Sequence, residues 1–355
     1  MRNRISFILI LFMVLSALKL RGQGCPACSN PALQSSEKLE AGADTLQKGN
    51  FRMTINGTGG LNYKGGHDNF TGLNAEGEVI DVIAHEHIVN LNFIRSELAL
   101  EYTFATNWST WVRIPYDVKM QTATVEFVEG TALFDQEAIV RNRDNHHRNE
   151  NYSGISDVKL FTANRFTGFL GEKGRLDLAF GFSLPVGTIE GDPIQAGLNG
   201  DKHLHIQFGS GTFDPLLELH YVTSLSKKIS LALFTMNKFP LYQNRNNYQA
   251  PLETTSGISS AFRVNSMLSG RATIATFSQG QATWNGLNDP NSGLFSVNGT
   301  VAATISLSRD LLVATGYRFP IYQKTLSSTG DVFLYGPTFV LNISYLIRLK
   351  KQGSS

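Results

Sequence analysis

The stretch FVLNISYLIRL, residues 339–349, repeats with a period of two. Phe339, Leu341, Ile343, Tyr345, Ile347 and Leu349 fall on one face, with Asn342, Ser344 and Arg348 on the other. Successive side chains of a strand point to opposite sides, so such a stretch makes one apolar and one polar sheet surface. The same pattern recurs along the chain. ELALEYTF (97–104) sets Leu98, Leu100, Tyr102 and Phe104 against Glu97, Glu101 and Thr103. WSTWVRIPYDVKM (108–120) sets Val112, Ile114, Tyr116 and Val118 against Arg113, Asp117 and Lys119. RLDLAFGFSL (175–184) gathers Leu176, Leu178, Phe180, Phe182 and Leu184. Twelve segments read as strands, at 50–63, 88–105, 108–122, 153–166, 175–186, 212–223, 228–239, 256–267, 270–280, 294–307, 311–322 and 334–349.

The connections between them alternate in length. Short ones lie at 106–107, 167–174, 224–227, just before Gly270, and at 308–310. Long ones cover 64–87, 123–152, 187–211, 240–255, 281–293 and 323–333. An even strand count with every second loop short predicts an all-β fold, an antiparallel transmembrane β-barrel of about 12 strands. Its tight turns face the periplasm and its long loops face outside. A soluble β-sandwich is the other all-β option, and it gives no reason for the parity. Charged residues are 17% of the chain, below the roughly 25% usual for soluble domains. Aromatic residues also collect where a barrel needs interfacial girdles. Phe104, Trp108, Phe166, Tyr221 and Tyr345 fall near the short turns, and Tyr242, Tyr322 and Tyr335 border long loops. The last strand is followed by LysLysGlnGlySerSer, so it lacks the terminal aromatic usual as a barrel-assembly signal.

The N-terminus carries Arg2 and Arg4, then an apolar run from Ile5 to Leu18, then Gly22 and Gly24. This order predicts a secretory signal peptide over 1–24. Its run is too short for a spanning helix, which needs about 20 residues. Removing 1–24 takes Lys+Arg from 31 to 27 against 29 acidic residues, leaving a net charge of about −2. Nothing in that balance points to nucleic acid. The expected organisation is then a CPAC segment at 25–49, periplasmic or plugging the bore, a barrel at 50–349, and a polar tail at 350–355.

Five phrases now resemble a known family: "EYTFATNWSTWVRIPYDVKM" (101–120), "YSGISDVKLFTANRF" (152–166), "LDLAFGFSLPVGT" (176–188), "FGSGTFDPLLELHY" (208–221) and "GYRFPIYQ" (316–323). They are similar to the outer-membrane barrels named after the meta-pathway of phenol degradation. The shared marks are a Gly-x-x-Asp strand start (Gly154–Asp157), a Leu-Pro-x-Gly strand end (Leu184–Gly187) and a Gly-x-Gly-x-x-Asp strand start (Gly209–Asp214). The likeness spans roughly 90–349 and implies a porin or transporter in the outer membrane. It rests on strand ends, so it bears on fold more than on solute.

With apolar faces on lipid, the opposite faces line the lumen. They are expected to present Arg52, Glu97, Glu101, Arg113, Asp117, Lys119, Asp157, Lys159, Glu218, His220, Arg263, Arg318 and Arg348. Charges of both signs read either as an ion-paired lattice that rigidifies a narrow barrel or as a constriction that orients a solute. A twelve-stranded bore is intermediate between filled 8-stranded barrels and open 16-stranded porins, which favours selective passage of a small solute, hydrophobic or aromatic by the family resemblance.

Metal capture is the alternative. His67, His85 and His87 fall in the first long loop, His146 and His147 in the second, and His203 and His205 in the third. The pairs His85/His87 and His203/His205 share a face if extended, as metal ligands on a strand do. Cys25 and Cys28, the only cysteines, are read as a local disulfide, as a copper- or zinc-handling pair, or as a docking point for a periplasmic redox or metal partner. Ser29 follows Cys28, which disfavours haem attachment. No Ser/His/Asp constellation, P-loop or paired-carboxylate motif points to an enzyme, and no cofactor is expected. The expected partners are outer-membrane lipid, a small solute and the barrel-assembly machinery.

Overall fold

The computed structural model describes residues 48–147, 149–203, 207–327, 330 and 332–348. The signal-peptide, CPAC and polar-tail expectations lie outside these residues.

Twelve antiparallel strands close into a barrel. In chain order they begin with β1 (Asn50–Leu73), β2 (Val79–Ala105) and β3 (Trp108–Glu126). After β3 come β5 (Val158–Thr167), β6 (Gly174–Leu184), β7 (Asp214–Ser224) and β8 (Ile229–Lys238). The circuit continues through β10 (Glu253–Arg263), β11 (Leu268–Gln279), β14 (Leu294–Ser306) and β15 (Leu311–Thr325) to β16 (Thr338–Arg348). β16 pairs back onto β1, from Asn50↔Arg348 to Gly60↔Thr338, so neither edge is left open. A thirteenth strand of the sheet, β4 (Glu150–Ile155), continues the line of β5 along β3, interrupted at Ser156 and Asp157.

The side-chain alternation runs as the period-two pattern requires. On β6, Leu178, Phe180 and Phe182 are exposed on the outer face, while Asp177, Ala179 and Ser183 are buried inside. On β2 the outward positions from Ile94 to Phe104 are dominated by large apolar residues, and Asn90 and Asn92 replace them farther along. Eleven strand residues at about 3.3 Å each, tilted near 45°, span about 25 Å, the height of an outer-membrane apolar belt. Phe104 and Trp108 sit 6.3 Å apart at one rim of this belt, with Phe166 and Tyr345 exposed at the same end. No helix among the described residues is long and apolar enough to cross a membrane.

Three sequence expectations are corrected. The strand pair around 64–87 is no loop: β1 and β2 continue as an extended hairpin, paired to Leu73↔Val79. Its turn is Asn74–Glu78, where Asn74 Oδ1 accepts the amides of Glu76 and Glu78 and Gly77 adopts a φ of 85°. The turn between β10 and β11 spans 264–267, several residues earlier than the glycine at 270 suggested. Tyr335 is not a girdle residue, because its loop folds inward and buries it.

The long connections carry structure of their own. The one after β3 holds α1 (Leu133–His146), and the one after β6 holds α2 (Pro193–Leu198). Short strands β9 (Tyr248–Gln249), β12 (Thr283–Trp284) and β13 (Leu287–Asn288) tie two further loops into a small sheet. Tyr248 packs on Trp284 at 4.7 Å within that sheet, and Trp284 donates to Asp289 at 3.0 Å. Burial and the nearby carboxylates of Asp289, Glu253 and Asp214 push the Tyr248 phenol well above its usual range.

Candidate functional site: a paired lumen under an aromatic layer

The inward faces of the barrel strands form two layers. One is a lattice of opposite charges. Arg113 on β3 reaches Glu218 on β7 through two hydrogen bonds, 2.7 and 3.2 Å, and its guanidinium covers Phe161 at 4.7 Å and Trp111 at 5.5 Å. His220 Nε2 approaches the same carboxylate at 3.7 Å. Arg95 donates to Asp117 at 2.7 and 2.6 Å, and Ser156 also bonds that carboxylate. Arg165 pairs with Asp177 at 2.7 Å, with Arg175 at 3.3 Å from its other oxygen. Lys238 meets Asp214 at 3.1 Å, and Arg52 stands 3.7 Å from Glu101. Asn56 donates to Glu97 at 3.2 Å. A buried charge without a partner costs several kcal/mol, so pairing is what allows so many ions inside one barrel.

The other layer is apolar and aromatic, and sits on the long-loop side. Tyr63, Leu91, Phe93, Tyr152, Phe277 and Leu294 point inward from the strands. Val332 and Tyr335, from the loop between β15 and β16, pack into them, with Phe208 alongside. Tyr63 meets Phe93 and Tyr335 edge-on, at 5.2 and 5.4 Å. The layers join where Arg318 donates to the Tyr63 hydroxyl at 3.0 Å and covers the Tyr335 ring at 5.0 Å. Lys119 joins them as well, donating to the Gln207 carbonyl at 2.7 Å and standing 4.6 Å from the Phe208 ring centre.

Of the residues expected to line the lumen, Arg52, Glu97, Arg113, Asp117, Lys119, Asp157, Glu218, His220 and Arg318 are buried on the inward face. Glu101 and Lys159 are half-buried there. Arg263 and Arg348 are instead exposed at the short-turn rim, where Arg348 donates to Asp310 at 2.8 Å. Both sit at a strand end, where parity no longer implies enclosure. Arg95, Arg165, Asp177 and Lys238 were not singled out from sequence, and Asp214 was noted only as a strand-start mark. Arg95 shares parity with Glu97 on β2, and Asp177 opposes the Leu176/Leu178 row on β6, so stricter use of the period would have found both.

The three family-like strand-end motifs meet at one point. Asp157 accepts the Gly187 amide at 3.0 Å, the Ser210 amide at 2.8 Å and the Ser210 hydroxyl at 3.0 Å, and Ser210 bonds Asp214 at 2.7 Å. Neither glycine has room for a side chain. A Cβ on Gly209 would lie 2.3 Å from Asp157 Oδ1, and one on Gly187 would lie 2.6 Å from the Phe208 carbonyl. These motifs therefore tie the 185–213 connection down beside the lumen.

The histidine expectation is redrawn. His85 and His87 lie on a strand, not in a loop, and point inward beyond the apolar belt. His87 faces His67 across the β1–β2 ladder, and His147 joins them from the end of α1. The three-histidine group does not include His203, whose Nδ1 lies 2.7 Å from the Asp201 carbonyl and whose amide donates to the Asn145 carbonyl at 3.4 Å. His205, Cys25 and Cys28 lie outside the described residues.

No protein-family model matches the chain, and no curated protein matches it. Solved structures do. An outer membrane channel from Pseudomonas putida F1 superposes with a TM-score of 0.53 at 11% identity, covering 85% of this chain and 97% of that one. The NanC porin gives a TM-score of 0.39 at 8% identity, over 80% of this chain and 98% of that one. The CymD monoaromatic hydrocarbon channel gives 0.37 at 9% identity, over 95% and 96%. The first of these likenesses establishes the fold: this chain is an all-β, closed, twelve-stranded antiparallel barrel of the outer-membrane type.

Proposed function

We propose that this barrel resides in the outer membrane of a Gram-negative cell and passes a small solute through its narrow interior. The single observation that carries the reading is the inversion of sidedness. Large apolar residues cover the outside in a belt about 25 Å tall, while the charged residues face inward. Only acyl chains satisfy such an exterior, and a closed strand circuit satisfies every backbone group inside the membrane. The barrel's likeness to an outer membrane channel agrees with it.

The solute class follows from the two layers in series. An aromatic layer containing Phe93, Phe277 and Tyr335 accepts an apolar body, and the paired charges below it accept a polar end. We take the solute to be small and amphipathic, with an aromatic or hydrophobic portion. Export by the 1–24 signal, insertion by the barrel-assembly machinery and a CPAC segment that is periplasmic or plugs the bore belong to this reading. Planar-bilayer conductance and liposome flux of small aromatic acids test it. A refolded, heat-modifiable barrel that neither conducts nor accelerates flux rules it out.

A further inference from the structure

Four imidazoles from three separate segments meet on the inner face of the extended β1–β2 hairpin. His67 and His87 are direct cross-strand partners, and ring nitrogens of His67, His87 and His147 all lie within 4.8 Å of one another. The ring centres are 5.3, 5.3 and 5.5 Å apart. His85 Nε2 lies 3.0 Å from His87 Nε2. His85, His87 and His147 are all buried. The group sits seven residues or more beyond Ile94, past the apolar belt on the long-loop side.

Folding brings His147 to this wall through specific contacts. Ala138 and Ile139 of α1 are fully buried. Arg141 donates to the Leu73 carbonyl and Asn142 to the Thr71 carbonyl, both at 2.8 Å. These bonds dock the helix onto the hairpin and deliver its C-terminal end to the two facing histidines.

We propose that His67, His87 and His147 bind one divalent transition-metal ion, with His85 available as a fourth imidazole. Neutral imidazole suits zinc, copper(II) and nickel, whereas calcium and magnesium require oxygen ligands that this cluster lacks. A tetrahedral zinc with bonds near 2.05 Å sets its ligand nitrogens about 3.4 Å apart, so the rings close in slightly by side-chain rotation. The bound ion cross-links β1, β2 and the end of α1. It thereby fixes the 127–149 connection over one side of the mouth. The site stands whether or not the barrel conducts, because metal retention and solute flux are read separately.

The test uses the full chain in detergent micelles with Cys25→Ser and Cys28→Ser, which removes the CPAC thiols as competing ligands. After chelation the protein is loaded with zinc chloride or nickel chloride, desalted, and its metal measured by mass spectrometry. One equivalent is expected to remain. His67→Ala, His87→Ala and His147→Ala each weaken binding by at least about tenfold, while Arg348→Ala, at the opposite rim, leaves it unchanged. Heat-modifiable gel mobility shows that each variant is folded. Copper(II) electron paramagnetic resonance on protein with all histidines intact provides an independent reading, with hyperfine structure from three or four nitrogens expected. Failure of that protein to retain metal, retention by the triple histidine variant, or a copper signal with fewer than three nitrogens overturns the proposal.

Discussion

The Arg113–Glu218 bridge spans strands that are not neighbours in the barrel, so removing one partner tests whether the lumen is held by its charge lattice. Glu218→Ala removes the carboxylate that accepts the two Arg113 bonds of 2.7 and 3.2 Å and leaves the guanidinium over Trp111 and Phe161. Side-chain exposures of 8% and 4% mark the pair as enclosed. Breaking an enclosed pair from one side costs about 3–5 kcal/mol, much of it the stranded charge. Water admitted to the bore solvates the guanidinium, which places the expected loss near the lower figure. Replacing both residues, as Arg113→Met with Glu218→Ala, removes the stranded charge and recovers most of it, and Arg113→Met alone completes the cycle. Urea unfolding in lipid vesicles, followed by the fluorescence of Trp111 and the other tryptophans, measures each member of the cycle. A coupling energy above about 1 kcal/mol is expected. Coupling below about 0.5 kcal/mol, with Glu218→Ala as stable as the parent, would refute the view that paired charges brace the interior.

Phe180→Arg places a cation on the apolar belt and should cost about 2–4 kcal/mol in the same unfolding assay, against less than 1 kcal/mol for a like change beyond the belt. Gly209→Ala forces a Cβ against Asp157 and the Gly187 backbone, so limited proteolysis should cut the 185–213 connection faster while strand content by circular dichroism stays constant. Tyr335→Ala removes a ring from the aromatic layer and should raise single-channel conductance; an unchanged conductance would remove that layer from the solute path. Arg348→Ala, whose side chain is half exposed at the rim, should alter stability by no more than about 1 kcal/mol, since exposed ion pairs contribute little.

Strand count, strand parity and which loops are short were legible in the sequence because a closed barrel with an apolar exterior imposes a strict condition. Across the belt the outward residues are mostly apolar and the inward ones suit a crowded polar interior, so the period of two is written plainly at 97–104, 108–120, 175–184 and 339–348. Beyond the belt that condition lapses. Lys64–Phe70 and His85–His87 lie past it, where the alternation fades, and a continuous hairpin reads as a loop over 64–87. The ends of strands mislead for a related reason: Arg263 and Arg348 keep inward parity but reach open solvent.

Tertiary structure alone decided the partners. Arg113 and Glu218 stand 105 residues apart, and nothing local links them. The same holds for His67, His87 and His147, which the sequence grouped with His85, His146, His203 and His205 by loop and spacing. Cross-strand register and the docking of α1 select one set instead. A period along a strand reports which way a side chain points. What it meets there depends on how the sheet closes on itself and on which loops fold back inside, and those follow from contacts between distant parts of the chain.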